Sequence, residues 1–84
     1  MSRTIVGGGA GVDILSQRLK QCRKERGLTQ QQMAIYSDIT EKTYQNYELK
    51  TREPKLKILL KIADVFNVSL DYLVGRTDKA EINK

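Results

Sequence analysis

The sequence predicts an all-α domain, a compact bundle of four to five helices. Apolar residues recur at helical spacing, as in Leu15, Leu19 and Cys22, and no segment shows the strict alternation of a half-buried strand. Ser and Thr stand just before the periodic segments, and Gly, Asn or Asp just after them, which are the start and stop signals of helices. A chain of 84 residues holds one domain at most.

The elements follow in order. Residues 1–12 read as a flexible arm, because Gly7, Gly8, Gly9 and Gly11 offer backbone freedom and little to bury. Arg3 is the arm's one side chain for a phosphate. The first helix is expected from about Asp13, its N-cap, to Arg26, with Gly27 accepting the left-handed conformation that ends it. Thr29 and Gln32 form a capping box for a second helix, which stops near Ser37 with Asp38 in the turn.

Thr40 caps a third helix to about Leu49. At about 100° per residue, Tyr44, Tyr47 and Glu48 share one side, while Glu41, Lys42, Gln45, Asn46 and Leu49 share the other. Lys50 to Pro54 is a polar loop, and Pro54 is expected to open an apolar fourth helix over Leu56, Leu59, Leu60, Ile62, Ala63 and Phe66, ended by Asn67. Ser69 caps a short fifth helix through Val74, with Leu70 and Leu73 inward, and Gly75 closes it. Residues 77–84 read as a charged tail with no packing signal.

Composition narrows the function. Fifteen Lys and Arg against ten Asp and Glu give a net charge of +5, which favours polyanionic partners. The chain has no His, hence no Ser-His-Asp triad and no His-ligated metal, and its one Cys excludes an internal disulfide or a multi-thiolate zinc site. No nucleophile–base pair is visible, so a binding role is expected and not an enzyme, with no cofactor and no small-molecule ligand. No apolar run approaches the length of a membrane span, the N-terminus lacks the apolar core of a signal peptide, and the cytoplasm is the expected location.

Function concentrates in the second and third helices with Asp38 and Ile39 between them. Two short helices joined by a tight turn cannot both bury a broad face. The first helix props the pair from behind, and the third then projects its polar side into a groove of double-stranded DNA. The motifs GLTQ, Met-Ala, Asp-Ile-Thr, Tyr-Glu and IADVFNVSLDYL stand in register over residues 14–76. Over this stretch the chain resembles the phage-repressor and Cro type of helix-turn-helix domain, the XRE family, whose lambda-repressor-like fold is a four- to five-helix bundle. The resemblance implies a transcriptional regulator, most readily a repressor, that binds an inverted-repeat operator as a homodimer.

By position, the resemblance assigns base contacts to Thr40, Glu41, Lys42, Thr43 and Asn46, and phosphate contacts to Gln30, Gln45, Lys50, Arg52 and Lys55. It assigns to Arg23 and Glu48 a buried ion pair tying the first helix to the third. Glu41 stands equally as an acceptor for cytosine N4 or as a charge suited to a helix N-terminus. The family usually has Gly where this chain has Asp38, Lys50 and Asn67, and often acidic residues where it has Gln31 and Gln32. Asp and Asn tolerate left-handed geometry. Lys50 does not, so the third helix either ends in strain there or runs on past Leu49. Ile58, Val65, Tyr72 and Val74 exceed what one small core needs and are candidates for a dimer surface. Antitoxins, dual activator-repressors and protein-interaction modules share this general look.

Overall fold

The computed structural model describes residues 10–81, with side chains from residue 14 onward. Among the described residues the chain forms five helices and no strand: α1 (Ala10–Glu25), α2 (Gln30–Ser37), α3 (Glu41–Glu48), α4 (Leu56–Phe66) and α5 (Leu70–Leu73). The chain is all-α, as its periodicity predicts.

Two helix starts differ from expectation. α1 is described from Ala10, inside the segment read as an arm, so Asp13 lies within the helix and is not its N-cap. Ala has the best helix propensity, and the single Gly11 costs only about 1 kcal/mol. Arg3 and the other residues of 1–9 lie outside the described residues. α4 begins at Leu56 with Lys55 as an extended N-cap that makes no side-chain capping bond. Pro54 therefore precedes the helix, buried, and does not occupy its first turn. Pro54 and Leu59 then stand at N′ and N4, the two positions of a hydrophobic staple.

The other starts are capped by hydroxyls. Thr29 Oγ1 accepts from the Gln32 amide at 3.0 Å while Gln32 Oε1 accepts from the Thr29 amide at 2.9 Å, a complete capping box. Thr40 accepts from the Thr43 amide at 3.1 Å, and Ser69 from the Tyr72 amide at 3.0 Å.

All five helices end the same way. Gly27, Asp38, Lys50, Asn67 and Gly75 each take positive φ, between 59° and 86°. The residue after each donates its N–H to the carbonyl five residues back: Leu28 to Arg23, Ile39 to Ala34, Thr51 to Asn46, Val68 to Ala63 and Arg76 to Asp71, at 2.8–3.1 Å. This is the Schellman arrangement, which satisfies carbonyls that a helix end would otherwise orphan. Gly75 has a second requirement, because a Cβ there would come within 2.8 Å of the Ile14 side chain.

The core joins all five helices: Leu15, Leu19 and Cys22 from α1, Met33 and Ala34 from α2, Tyr44 and Tyr47 from α3, Ile62, Ala63 and Phe66 from α4, then Val68 and Leu73. Burial pushes the Cys22 thiol up, as suits a small core hydrophobe. Arg26 ties α1 to α4, its Nε donating to the Phe66 carbonyl at 3.0 Å with the guanidinium 5.4 Å from the ring centre.

Thr77, Asp78 and Ala80 are tied to the helices, although the segment from residue 77 reads as a charged tail with no packing signal. Arg18 donates to the carbonyls of Tyr72 and Thr77 and to Asp78 Oδ1, and lies 4.0 Å over the Tyr72 ring. The Ser69 amide donates to the Ala80 carbonyl at 2.9 Å, and Ala80 packs against the core. Ala80 is the single apolar residue between Arg76 and Glu81, and the clamp is polar and distant in sequence. Of the four dimer-surface candidates, Ile58, Val65 and Tyr72 are half-buried against the chain's own core, and Val74 is half-buried too. The large apolar side chains left in water are instead Ile35, Tyr36, Leu49, Leu56 and Leu60.

Candidate nucleic-acid interface

α3 is eight residues long, and its two faces differ in chemistry. Tyr44, Tyr47 and Glu48 are buried, the two rings meeting edge to face at 6.4 Å. Glu41 and Lys42 are exposed, and Gln45 and Asn46 half-buried. These four expected contact residues share the outward arc, and Gln45 Nε2 donates to Glu41 Oε2 at 3.4 Å.

Buried chemistry holds this face outward. Arg23 grips Glu48 with two bonds, Nε to Oε2 at 2.7 Å and the terminal nitrogen to Oε1 at 3.1 Å. The side chains are 14% and 3% exposed. Arg23 also donates to the Leu28 carbonyl at 3.1 Å, and Gln30 Nε2 donates to Glu48 Oε1 at 3.0 Å. One carboxylate thus fixes α1, the start of α2 and the end of α3. Burial pushes the Glu48 carboxyl up, but hydrogen bonds from Arg23 and its other neighbours and the Arg23 charge outweigh it, so its pKa lies below the ordinary value. The hydrogen bond to Glu48 is the main reason the Arg23 pKa is raised. Burial, reinforced by the nearby carboxylate, pushes the Tyr44 phenol far up, and it stays neutral.

The remaining expected residues are placed as follows. Thr40 is engaged in capping, and its hydroxyl lies 2.8 Å from that of Thr43. Both stand at the start of α3, tied to each other. Gln30 is bound to Glu48, which limits the free donor its role at a phosphate requires. Lys50, Arg52 and Lys55 are exposed along the loop from α3 to α4. Lys50 has φ 68°, so α3 ends there and does not run on. The Asp38 carboxylate, in the turn between α2 and α3, meets Lys61 of α4 at 3.4 Å, a tie that sequence reasoning did not find. Nor did it find the Arg18 clamp; a partly buried Arg on an amphipathic helix carries no signal of which distant carbonyls it meets.

Two short helices joined by a tight turn, the second presenting a polar arc, define a helix-turn-helix domain. Residues 19–73 match the helix-turn-helix family, well over half of the chain, and the chain belongs to that family, of the phage-repressor and Cro type. It is similar to the uncharacterized HTH-type transcriptional regulator YqaE of Bacillus subtilis, 49% identical over 61 residues, 73% of this chain and 53% of that protein. It is 37% identical over 70 residues to the HTH-type transcriptional regulator ImmR of Bacillus subtilis, 83% of this chain and 55% of that one. It is 39% identical over 62 residues to the cryptic phage CTXphi transcriptional repressor RstR of Vibrio cholerae, 74% and 55% of the two chains. The chain spans about half the length of the curated relatives it matches. No described helix is long and apolar enough to cross a membrane.

Proposed function

We propose that this chain is a sequence-specific, double-stranded-DNA-binding transcriptional regulator acting as a repressor, which lays α3 in the major groove. The observation that carries the reading is the division of α3. One face is locked by Tyr44, Tyr47 and the Arg23–Glu48 pair, and the other presents Glu41, Lys42, Gln45 and Asn46 beside the cationic loop of Lys50, Arg52 and Lys55. Rigid support and flanking charge are what base readout and phosphate anchoring require. Asn46 suits adenine and Lys42 suits guanine, Glu41 suits cytosine N4, and Thr40 and Thr43 lie at the N-terminal end that approaches base edges. Gln45 reaches the groove wall. Gln30 has two amide hydrogens, and with one held by Glu48 the second is left for a phosphate. The repressor named among the relatives supports the direction of control, and this role belongs in the cytoplasm.

The functional unit in this reading is a homodimer on an inverted repeat. α4 exposes Leu56 by 61% and Leu60 by 47% on one side. Leu60 also lines a groove with Ala63, Val68 and Leu70. Lys57 and Asp64 lie at opposite ends of this face, both exposed, so an antiparallel copy related by a two-fold axis near Leu60 brings unlike charges together. Half-sites then lie about 34–36 Å apart or at a multiple of that spacing. Selection of bound duplexes from a random DNA pool tests the reading. An inverted repeat is the expected product, and recovery of no preferred sequence overturns sequence-specific binding.

A further inference from the structure

The outward arc of α3 carries one side chain unlike the rest. Leu49 caps the helix C-terminus and is 63% exposed. At about 100° per residue it falls between Gln45 and Lys42, in the middle of the polar arc and away from Tyr44, Tyr47 and Glu48. Its side chain is not part of the core cluster or of the half-buried shell around it. Only its backbone serves the fold, its N–H donating to the Gln45 carbonyl at 2.9 Å.

The major groove displays donors, acceptors and one apolar group, the C5 methyl of thymine. That methyl lies toward the groove's edge, on the side of its own strand's backbone, with the thymine O4 acceptor nearer the middle. Leu49 stands at the matching place on the protein. Along the chain it comes after the residues assigned to bases and stands one and three residues before Lys50 and Arg52, assigned to phosphates. The N-terminal end of a recognition helix enters deepest, which leaves its C-terminal end beside the groove wall. We propose that Leu49 is a specificity-determining residue, packing on the methyl of a thymine at the edge of each half-site. The inference rests on the DNA-binding reading above.

Deoxyuridine differs from thymidine only by this methyl, so it isolates the interaction. A duplex recovered by selection is made with each thymine in turn replaced by deoxyuridine, and titrated with the wild-type chain and with Leu49→Ala. One thymine per half-site is expected to lose about four-fold in wild-type affinity on replacement, the worth of one buried methyl. The same replacement leaves Leu49→Ala binding unchanged. Because the side chain lies in water, the variant keeps the wild-type helical spectrum and melting curve, which shows that the altered response is not unfolding. Wild-type binding indifferent to every replacement overturns the proposal, as does a Leu49→Ala chain that keeps the same methyl sensitivity. In both cases the DNA-binding reading stands. If the pool yields no bound duplex, both readings fall.

Discussion

Lys50→Gly is expected to make the free protein more stable and the DNA complex weaker. Lys50 occupies the left-handed position after α3, at φ 68°, where the corresponding residues after the other helices are Gly, Asp, Asn and Gly. A residue with a Cβ pays about 1–2 kcal/mol in this conformation. Glycine removes that strain but gives the unfolded chain more freedom, worth about 0.4–1 kcal/mol in the opposite sense. The difference is a net gain of about 0–1.6 kcal/mol, each kcal/mol being worth about 4–8 °C in Tm for a domain of this size. Lys50→Ala is the control, since it removes the same side chain and keeps the Cβ. The Gly variant should therefore outlast the Ala variant in a urea melt, by about 1 kcal/mol. On DNA both variants should bind more weakly, with the salt slope reduced by about 0.9 per phosphate no longer neutralised. A Gly variant no more stable than the Ala variant refutes the strain argument. Unchanged salt dependence refutes the role of the Lys50 ammonium at a phosphate.

Glu48→Ala leaves Arg23 without its partner in a site where the two side chains are 3% and 14% exposed, and it should cost about 3–5 kcal/mol in a urea melt; a loss under about 1 kcal/mol would put the pair at the surface. Because the folded Glu48 pKa lies below its unfolded value, the unfolded chain binds more protons between the two, so stability rises with pH through that window and is lost as pH falls through the folded value. Glu48→Gln should remove that contribution to the acid limb, and an acid limb identical to wild type would exclude it. Arg52→Ala should weaken binding on every sequence and lower the salt slope by about one per site, whereas Asn46→Ala should cost about 1–3 kcal/mol on the selected site and little on random DNA; equal losses on both DNAs for both variants would refute the division. Leu60→Glu should abolish the concentration-dependent dimer in sedimentation while leaving the melt of the monomer close to wild type, and an unaffected dimer would remove the α4 face from the interface.

What was legible in the sequence is mostly local. The caps Thr29, Thr40 and Ser69, and the terminators Gly27, Asp38, Asn67 and Gly75, act within a few residues of themselves. Their meaning can be read without knowing the fold. The two faces of α3 follow from helical angle alone, which is why the buried Tyr44, Tyr47 and Glu48 and the outward Glu41, Lys42, Gln45 and Asn46 could be sorted in advance. Pro54 shows where local reasoning fails. Its fixed φ suits the first turn of a helix, yet it is equally suited to the loop before one. The start of α4 was decided by the extended backbone of Lys55.

Sequence alone determined the five helices, the caps of α2, α3 and α5, the terminators of α1, α2, α4 and α5 and the chemistry of the face that α3 turns outward, because capping, glycine conformation and periodicity act over one or two turns of chain. Only the tertiary structure decided three further matters. It placed Lys50 in left-handed geometry, choosing strain over a longer helix. It tied Thr77 and Asp78 to Arg18 and brought Ala80 against the core, its carbonyl held by the Ser69 amide. It also half-buried Ile58, Val65, Tyr72 and Val74 and left Leu56 and Leu60 as the exposed apolar side chains of α4. In each case the partners lie far apart in sequence or the outcome depends on how much surface the other helices cover. Periodicity shows that a helix has an apolar face, but the width of that face that is buried depends on the helices packed beside it.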